Sequence, residues 1–192
     1  MSRPGSPCIG IKRHAEKKRD RYITDAEFIA IKSAAEHRAI PAIMDLCFLT
    51  GQRISDVLSI KNQDISSDCI RIVQQKTKTK LAIAMTDDLA ATIHAIRQSH
   101  PPLKGVDHLL YSRNRDAYAY GTIKDAFERA RSSAGIVGVT LHDIRAKSLT
   151  DADLQGLNAQ KLGGHSDPRM TDRYIRRRRS RPVLGPSSPA SE

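Results

Sequence analysis

Apolar residues along this chain recur mostly at helical spacing, interrupted once by a short stretch of strict alternation. Thr24-Asp25-Ala26-Glu27 has the Thr-x-x-Glu spacing of a capping box and predicts a helix from about Asp25 to about His37. Pro41 stands where a first helical turn tolerates proline, AIMDLCFL follows as a buried helix, and Gly51 supplies its stop. Ile54 to Ile60 predicts a short helix capped by Ser55, with Val57, Leu58 and Ile60 inward and Arg53 at the junction before it. From Cys69 the pattern changes: CIRIV and LAIAM read as an antiparallel hairpin with Gln75 to Lys80 as its loop. Helices are expected again from Thr86 to His100, from Thr122 to Ser133 and from Leu141 onward, with Leu109-Leu110-Tyr111 as a short third strand. Asn158 to Leu162 gives one further turn, Gly163-Gly164 breaks it, and Ser166 or Asp167 with Pro168 opens a helix bearing Tyr174. The sum is a mainly α fold with a small antiparallel β-sheet.

Charge changes the picture from a fold to a kind of partner. At 192 residues the chain fits one domain, and a net charge of +11 points to an acidic polymer, with nucleic acid ahead of a membrane surface. No apolar run approaches a transmembrane helix, and the N-terminus lacks the apolar segment of a signal peptide, so a cytoplasmic protein is expected. Cys8, Cys47 and Cys69 are odd in number and widely spaced, which argues against a disulfide framework and against a zinc cluster. Tryptophan is absent and aromatics make up 4% of the chain, so recognition through phosphates and helices fits better than base stacking. KRHAEKKRDR marks residues 1–21 as a basic linker, and RPVLGPSSPASE marks 181–192 as a Pro/Ser-rich flexible tail, leaving 22–180 as the folded domain.

Three separated stretches carry candidate chemistry. In LGGHSDPRMTDRYIRRR, Leu162 to Arg178, a His precedes a Tyr by nine residues and a burst of arginine follows. Nearby cations stabilise a phenolate and a phosphate alike, so Tyr174 reads either as a nucleophile aimed at phosphorus or as the anchor of a surface helix. His142 and Arg145, three apart on one helix face, can address a single anion. Lys76, Lys78 and Lys80 alternate along the hairpin tip, where lysines serve as edge protection, as groove contacts or as a proton donor. Arg176 and Arg177 would add sequence-independent phosphate affinity.

Together these pieces resemble one family, the tyrosine recombinases, and within it the lambda-type phage integrases, from about Tyr22 to about Arg178. TGQRISDVLSIKNQDI resembles the family's first-arginine box, which gives Arg53 the first catalytic arginine and Asp56 the supporting acid. LHDIR resembles the H-x-x-R box and gives His142 and Arg145 their roles; the Leu162 to Arg178 stretch is similar to the G-H to Tyr box, matching His165 and Tyr174. Lys76 follows Arg53 by 23 residues, a spacing similar to that of lambda-type enzymes, which singles it out over Lys78 and Lys80. Two departures stand out. Gly163 replaces the apolar residue usual before the G-H, which is expected to loosen the turn holding His165. The N-terminal helical domain with which family members clasp DNA has no room here, so an isolated catalytic domain is expected.

The resemblance implies a DNA strand-transfer enzyme that needs neither metal nor ATP and has no cofactor. Tyr174 attacks the scissile phosphate to give a 3′-phosphotyrosyl link, Arg53 and Arg145 hold the non-bridging oxygens in place of a metal, and Lys76 protonates the leaving 5′ oxygen. His142 is the candidate base and His165 a phosphate hydrogen bond, in roles that the sequence leaves exchangeable. Asp56 either orients its neighbours or is an acid favoured at a helix N-terminus. The implied partner is double-stranded DNA at attachment sites, bound by a homotetramer that is a monomer when free, with Val183-Leu184 as a candidate subunit contact. A catalytically silent DNA-binding module is the alternative; retention of all six residues argues against it. A metal-dependent nuclease is disfavoured because no acidic cluster has ligand spacing. Near the end of the ordered pattern, Tyr174 is expected to be mobile without DNA.

Overall fold

The computed structural model describes residues 20–175, so the basic linker up to Arg19, the tail, Arg176, Arg177 and Val183-Leu184 lie outside the described residues. Eight helices and one hairpin are described: α1 (Asp25–Ser33), α2 (Ala39–Thr50), α3 (Ile54–Leu58), β1 (Cys69–Val73), β2 (Lys80–Ala84), α4 (Asp87–Ser99), α5 (Tyr120–Ser133), α6 (Leu141–Leu154), α7 (Ala159–Gly163) and α8 (Pro168–Asp172). The mainly helical class with a two-stranded antiparallel sheet is the one expected.

Helix α2 is the hub. Its apolar sequence buries Ile40, Ile43, Met44, Leu46 and Cys47, and α1, α3, α4, α5 and α6 all pack on it. A helix apolar on nearly every side is stable only when so surrounded. Burial pushes the Cys47 thiol up to about 12, so this cysteine is a core residue and not a nucleophile. Helix α6 is buried from Asp143 to Ala152 although six of these residues, Asp143, Arg145, Lys147, Ser148, Thr150 and Asp151, are polar or charged. Its polar groups are paired: Ser148 Oγ donates to the Phe48 carbonyl at 2.5 Å and Thr150 Oγ1 to the Ala146 carbonyl at 2.7 Å. Lys147 Nζ binds Asp151 at 2.8 Å, the Tyr22 hydroxyl at 3.0 Å, and Asp25. One side of α6 thus faces the main core, and the other faces a second cluster of Ala146, Leu149, Ala152, Ala159 and Tyr174.

Local chemistry sets most of the boundaries. Thr24 and Glu27 form the capping box that starts α1, and Thr140 with Asp143 forms another at α6. Gly51, at φ 65°, ends α2 in the left-handed region. Several boundaries differ from expectation. Helix α1 ends at Ser33, because the His37 carbonyl already accepts the Ile40 amide at 2.9 Å and the chain has turned into α2. Arg53, and not Ser55, is the N-cap of α3; its carbonyl takes the amides of Asp56 and Val57. The third strand does not form: the Leu109 amide bonds to the Ile60 carbonyl at 2.9 Å, so this segment pairs with the loop after α3 by isolated bridges. Lys80 opens β2 instead of closing the loop.

Candidate active site

Arg53, Asp56, Arg145, His142, His165 and Tyr174 are brought to one place by the ends of α2, α6 and α7. Gly51 makes the closest of these junctions possible, since a Cβ there would stand 2.9 Å from Leu162 Cγ and 3.3 Å from Ser148 Oγ. Its carbonyl accepts Arg145 Nη1, which ties the turn before Arg53 to α6. Arg145 is 1% exposed. Its Nη2 donates to the Gly163 carbonyl at 2.7 Å and to His165 Nε2 at 2.9 Å. One guanidinium therefore links the Arg53 turn, its own helix and the His165 turn.

A guanidinium has no acceptor, so His165 Nε2 must present its lone pair to Arg145. The proton then sits on Nδ1, which donates to Thr171 Oγ1 across 2.9 Å. Burial, and then the charges of Arg145 and Arg53, hold the His165 imidazole down at about 4, so it is neutral near pH 7. Burial and the adjacent Arg53 likewise lower Arg145, with Tyr174 and Asp56 acting in the opposite direction. Two cations are thus held close with one carboxylate between them: Asp56, fully buried, lies 3.8 Å from Arg53 Nη1. Arg53 Nη1 and Arg145 Nε are buried without a hydrogen-bond partner among the described residues. Leaving such donors unpaired costs about 1–3 kcal/mol each, and both suit an anion.

Tyr174 lies under this group. Its ring stacks on His165 at 5.3 Å and 18°, tilts against His142 at 5.3 Å, and carries the Arg145 guanidinium 5.2 Å from its centroid. It is 9% exposed, and its carbonyl accepts Thr150 Oγ1 at 3.2 Å. One expectation is corrected here. Tyr174 follows α8, which ends at Asp172, and is not on the helix; its amide closes a turn onto the Thr171 carbonyl at 2.8 Å. Its ring is packed against Arg145 and completes the second apolar cluster.

The lysines behave differently. Lys76, Lys78 and Lys80 are exposed, and Lys76 makes no hydrogen bond or ion pair among the described residues. Only its loop is tied in: the Gln75 amide donates to Asp56 Oδ1 at 2.8 Å and Gln75 Nε2 to the Ser55 carbonyl at 3.1 Å. Asp56 therefore touches both the Arg53 guanidinium and the base of the Lys76 loop, and its carboxylate is not spent on the amides of its own helix. Among the described residues no group of three or more His, Cys, Asp or Glu is arranged to hold a metal ion.

Sequence reasoning passed over three residues. Thr171 fixes the His165 tautomer. Gln52 and Gln74, both fully buried, bond to each other at 2.7 Å across the centre of the site. A signal existed for Gln74: continuing the alternation from the inward Ile70 and Ile72 places it on the core face of the hairpin.

Comparison with known proteins adds a lineage to this geometry. The family model described as "Phage integrase family" matches residues 22–181. The integrase of Enterobacteria phage P21 is 34% identical over 189 residues, covering 89% of this chain and 50% of that protein. The integrase of Escherichia phage lambda is 29% identical over 171 residues, covering 83% and 48%. Among solved structures, a lambda integrase dimer bound to a COC′ core site superposes with a TM-score of 0.75 at 26% identity, covering 90% of this chain and 52% of that one. The lambda integrase catalytic core superposes at 0.66 with 28% identity, covering 78% of this chain and 94% of that one. The chain spans about half the length of the curated relatives it matches.

Proposed function

Since this chain belongs to the phage integrase family, we propose that it carries the catalytic part of a site-specific recombinase that cuts and rejoins DNA through a tyrosyl phosphate. The observation that carries the reading is the pair of buried guanidinium donors with no hydrogen bond among the described residues, Arg53 Nη1 and Arg145 Nε, together with a tyrosine packed under Arg145. A phosphodiester repels nucleophiles and has a poor leaving group, so its cleavage needs charge neutralised on the phosphorane and a proton on the departing oxygen. Two guanidinium forks supply the first.

In the proposed step the Tyr174 oxygen bonds to phosphorus, the bond from phosphorus to the 5′ oxygen breaks, and a 3′-phosphotyrosyl link and a 5′-hydroxyl result. Lys76 delivers the proton to the 5′ oxygen. A free tyrosine ionises near 10, so attack at neutral pH requires the cationic field and a base. We take His142 as the base, since it is exposed and flanks the Tyr174 ring; His165 is held through both nitrogens by Arg145 and Thr171. His165 then orients Arg145 and turns to the phosphate only by releasing one of these partners. The phosphoryl bond is conserved in the adduct, so rejoining needs no ATP, and the arginines take the part that a metal plays elsewhere.

The substrate of this reading is double-stranded DNA at attachment sites, joined during integration or excision of a phage or mobile element in the host cytoplasm. Residues 22–180 form the catalytic domain between a basic N-terminal segment and a Pro/Ser-rich C-terminal one, monomeric when free and tetrameric on two duplexes. Lys78, Lys80, Arg176 and Arg177 add phosphate contacts. The test is incubation with nicked suicide DNA in EDTA. A covalent adduct should form and should vanish in Tyr174→Phe while DNA binding is kept; an adduct surviving that substitution overturns the assignment.

A further inference from the structure

We propose that Gln74 is a positioning residue for Lys76, holding the hairpin loop against the His165 turn through both ends of its buried side chain; the inference rests on the reading of Lys76 as general acid. The Lys76 side chain has no partner among the described residues, so where it points is decided by its loop. That loop is gripped at three points. Asp56 takes the Gln75 amide, Gln75 Nε2 holds the Ser55 carbonyl, and Gln74 Oε1 accepts Thr77 Oγ1 at 2.6 Å. The last bond spans Gln75 and Lys76, from Thr77 back to Gln74, and fixes the turn that Lys76 occupies.

At the other end of the same amide, Gln74 Nε2 donates to the Gly163 carbonyl at 2.9 Å and to Gln52 Oε1 at 2.7 Å. Gln52 in turn donates to the Thr50 carbonyl at 2.9 Å and the Leu162 carbonyl at 2.7 Å. The Gly163 carbonyl is also the one that holds Arg145. A single primary amide therefore sets the Lys76 loop at a fixed offset from the arginine that grips the phosphate. The packing is close: a Cβ on Gly164, which sits at φ +64°, would stand 2.8 Å from Gln74 Nε2. An apolar side chain would bury as well at this fully enclosed site, so donors at one end and an acceptor at the other are what the position uses.

The test compares two DNA substrates in single-turnover cleavage, one natural and one with sulfur at the 5′ bridging position, which leaves as a thiolate without taking a proton. Gln74→Leu should slow the natural substrate by roughly 10²-fold, the scale of a catalytic group displaced by about 1 Å, and recover to within several-fold of wild type on the sulfur substrate. Thr77→Val, at an exposed position, removes the hydroxyl that donates to Gln74 Oε1 and accepts from Thr79 Oγ1 at 3.0 Å, and should show the same recovery after a loss of about 10-fold, with Thr79→Val as the control that leaves the Gln74 bond in place; it decides the matter alone if Gln74→Leu does not fold. DNA affinity should be unchanged in both. Equal slowing on both substrates, or no slowing in either variant, overturns the proposal. Lys76→Ala is the separate control: if sulfur fails to recover it while Tyr174→Phe still abolishes the adduct, the general-acid reading is what fails.

Discussion

The His165 ring occupies the space into which a side chain at Gly163 would project. A Cβ at Gly163 would stand 2.9 Å from His165 Cε1 and 3.0 Å from Nδ1, closer than packed atoms come. The second glycine therefore does not slacken the turn; it lets the imidazole fold back against the backbone, where Arg145 and Thr171 pin both nitrogens. Gly163→Ala should push the ring off at least one of these partners. Adduct formation is expected to fall between about 10-fold and 10²-fold, with DNA affinity within a few-fold of wild type, as measured by single-turnover cleavage and by titration with labelled duplex.

Asp56 joins two segments of the candidate site with one carboxylate, accepting the Gln75 amide at 2.8 Å while facing Arg53 at 3.8 Å. Removing it strands a buried guanidinium beside Arg145 and an amide with no acceptor. Asp56→Ala should lower unfolding free energy by about 3 kcal/mol, the scale of breaking a buried pair. Asp56→Asn, which keeps an oxygen for Gln75, should lower it by about half as much; urea denaturation distinguishes the two.

How far these arrangements were legible depends on their range. Capping boxes at Thr24 and Thr140 and the stop at Gly51 are written in adjacent residues, and the structure uses all three. The extra strand at Leu109 was misread because alternation says a segment is half-buried without saying what it pairs with; here the partner is the loop after α3. Three motifs singled out Arg53, Arg145, His142, His165 and Tyr174, and the structure brings those residues together. Packing escaped the sequence reading. Nothing local to Tyr174 marks it as the lid of a second apolar cluster, and nothing local to Gln52 marks it as the partner of Gln74, 22 positions away.

The His165 tautomer follows from its partners and can be read directly. Because Arg145 can only donate, nitrogen shifts of labelled protein should report an unprotonated Nε2 and a protonated Nδ1 at pH 7, with ring protonation deferred to about pH 4. Thr171→Val, which removes the acceptor at Nδ1, should shift the Nδ1 proton resonance while leaving Nε2 unprotonated.

Lys78 sits at φ 59° in the hairpin turn, a conformation that costs a residue with a Cβ about 1 kcal/mol or more. Its amide closes onto the Gln74 carbonyl at 2.8 Å, so the turn cannot relax without losing that bond. Lys78→Gly should therefore raise stability by about 0.5–1 kcal/mol, even though glycine in most settings lowers it. Thermal unfolding should show a midpoint higher by about 1–4 °C for a chain of this size.

Acid sensitivity is set both in the site, at His165, and well away from it, at His100. His100 lies 1% exposed between Tyr111 and Tyr118, with Nε2 3.1 Å from the Tyr118 hydroxyl and Nδ1 3.0 Å from Ser99 Oγ. Burial, with Arg38 and His37 beside it, brings its imidazole down to about 4, as burial and two arginines do for His165. His37 is lowered as well, again chiefly by burial. In the unfolded chain these histidines take up protons near pH 6.5, whereas His100 and His165 refuse them in the folded chain until about pH 4. Stability should therefore be full above pH 6.5, fall steadily as pH drops from 6.5 to 4, and gain no further histidine loss below that. Glu27, held low by Arg21, begins to cost stability only in the lower part of this range, as the unfolded carboxylate protonates. Urea midpoints at intervals from pH 7 to pH 4.5 should decline for the native chain and decline less steeply for His100→Gln, which has no proton to gain; identical slopes would mean that His100 is not one of the groups responsible.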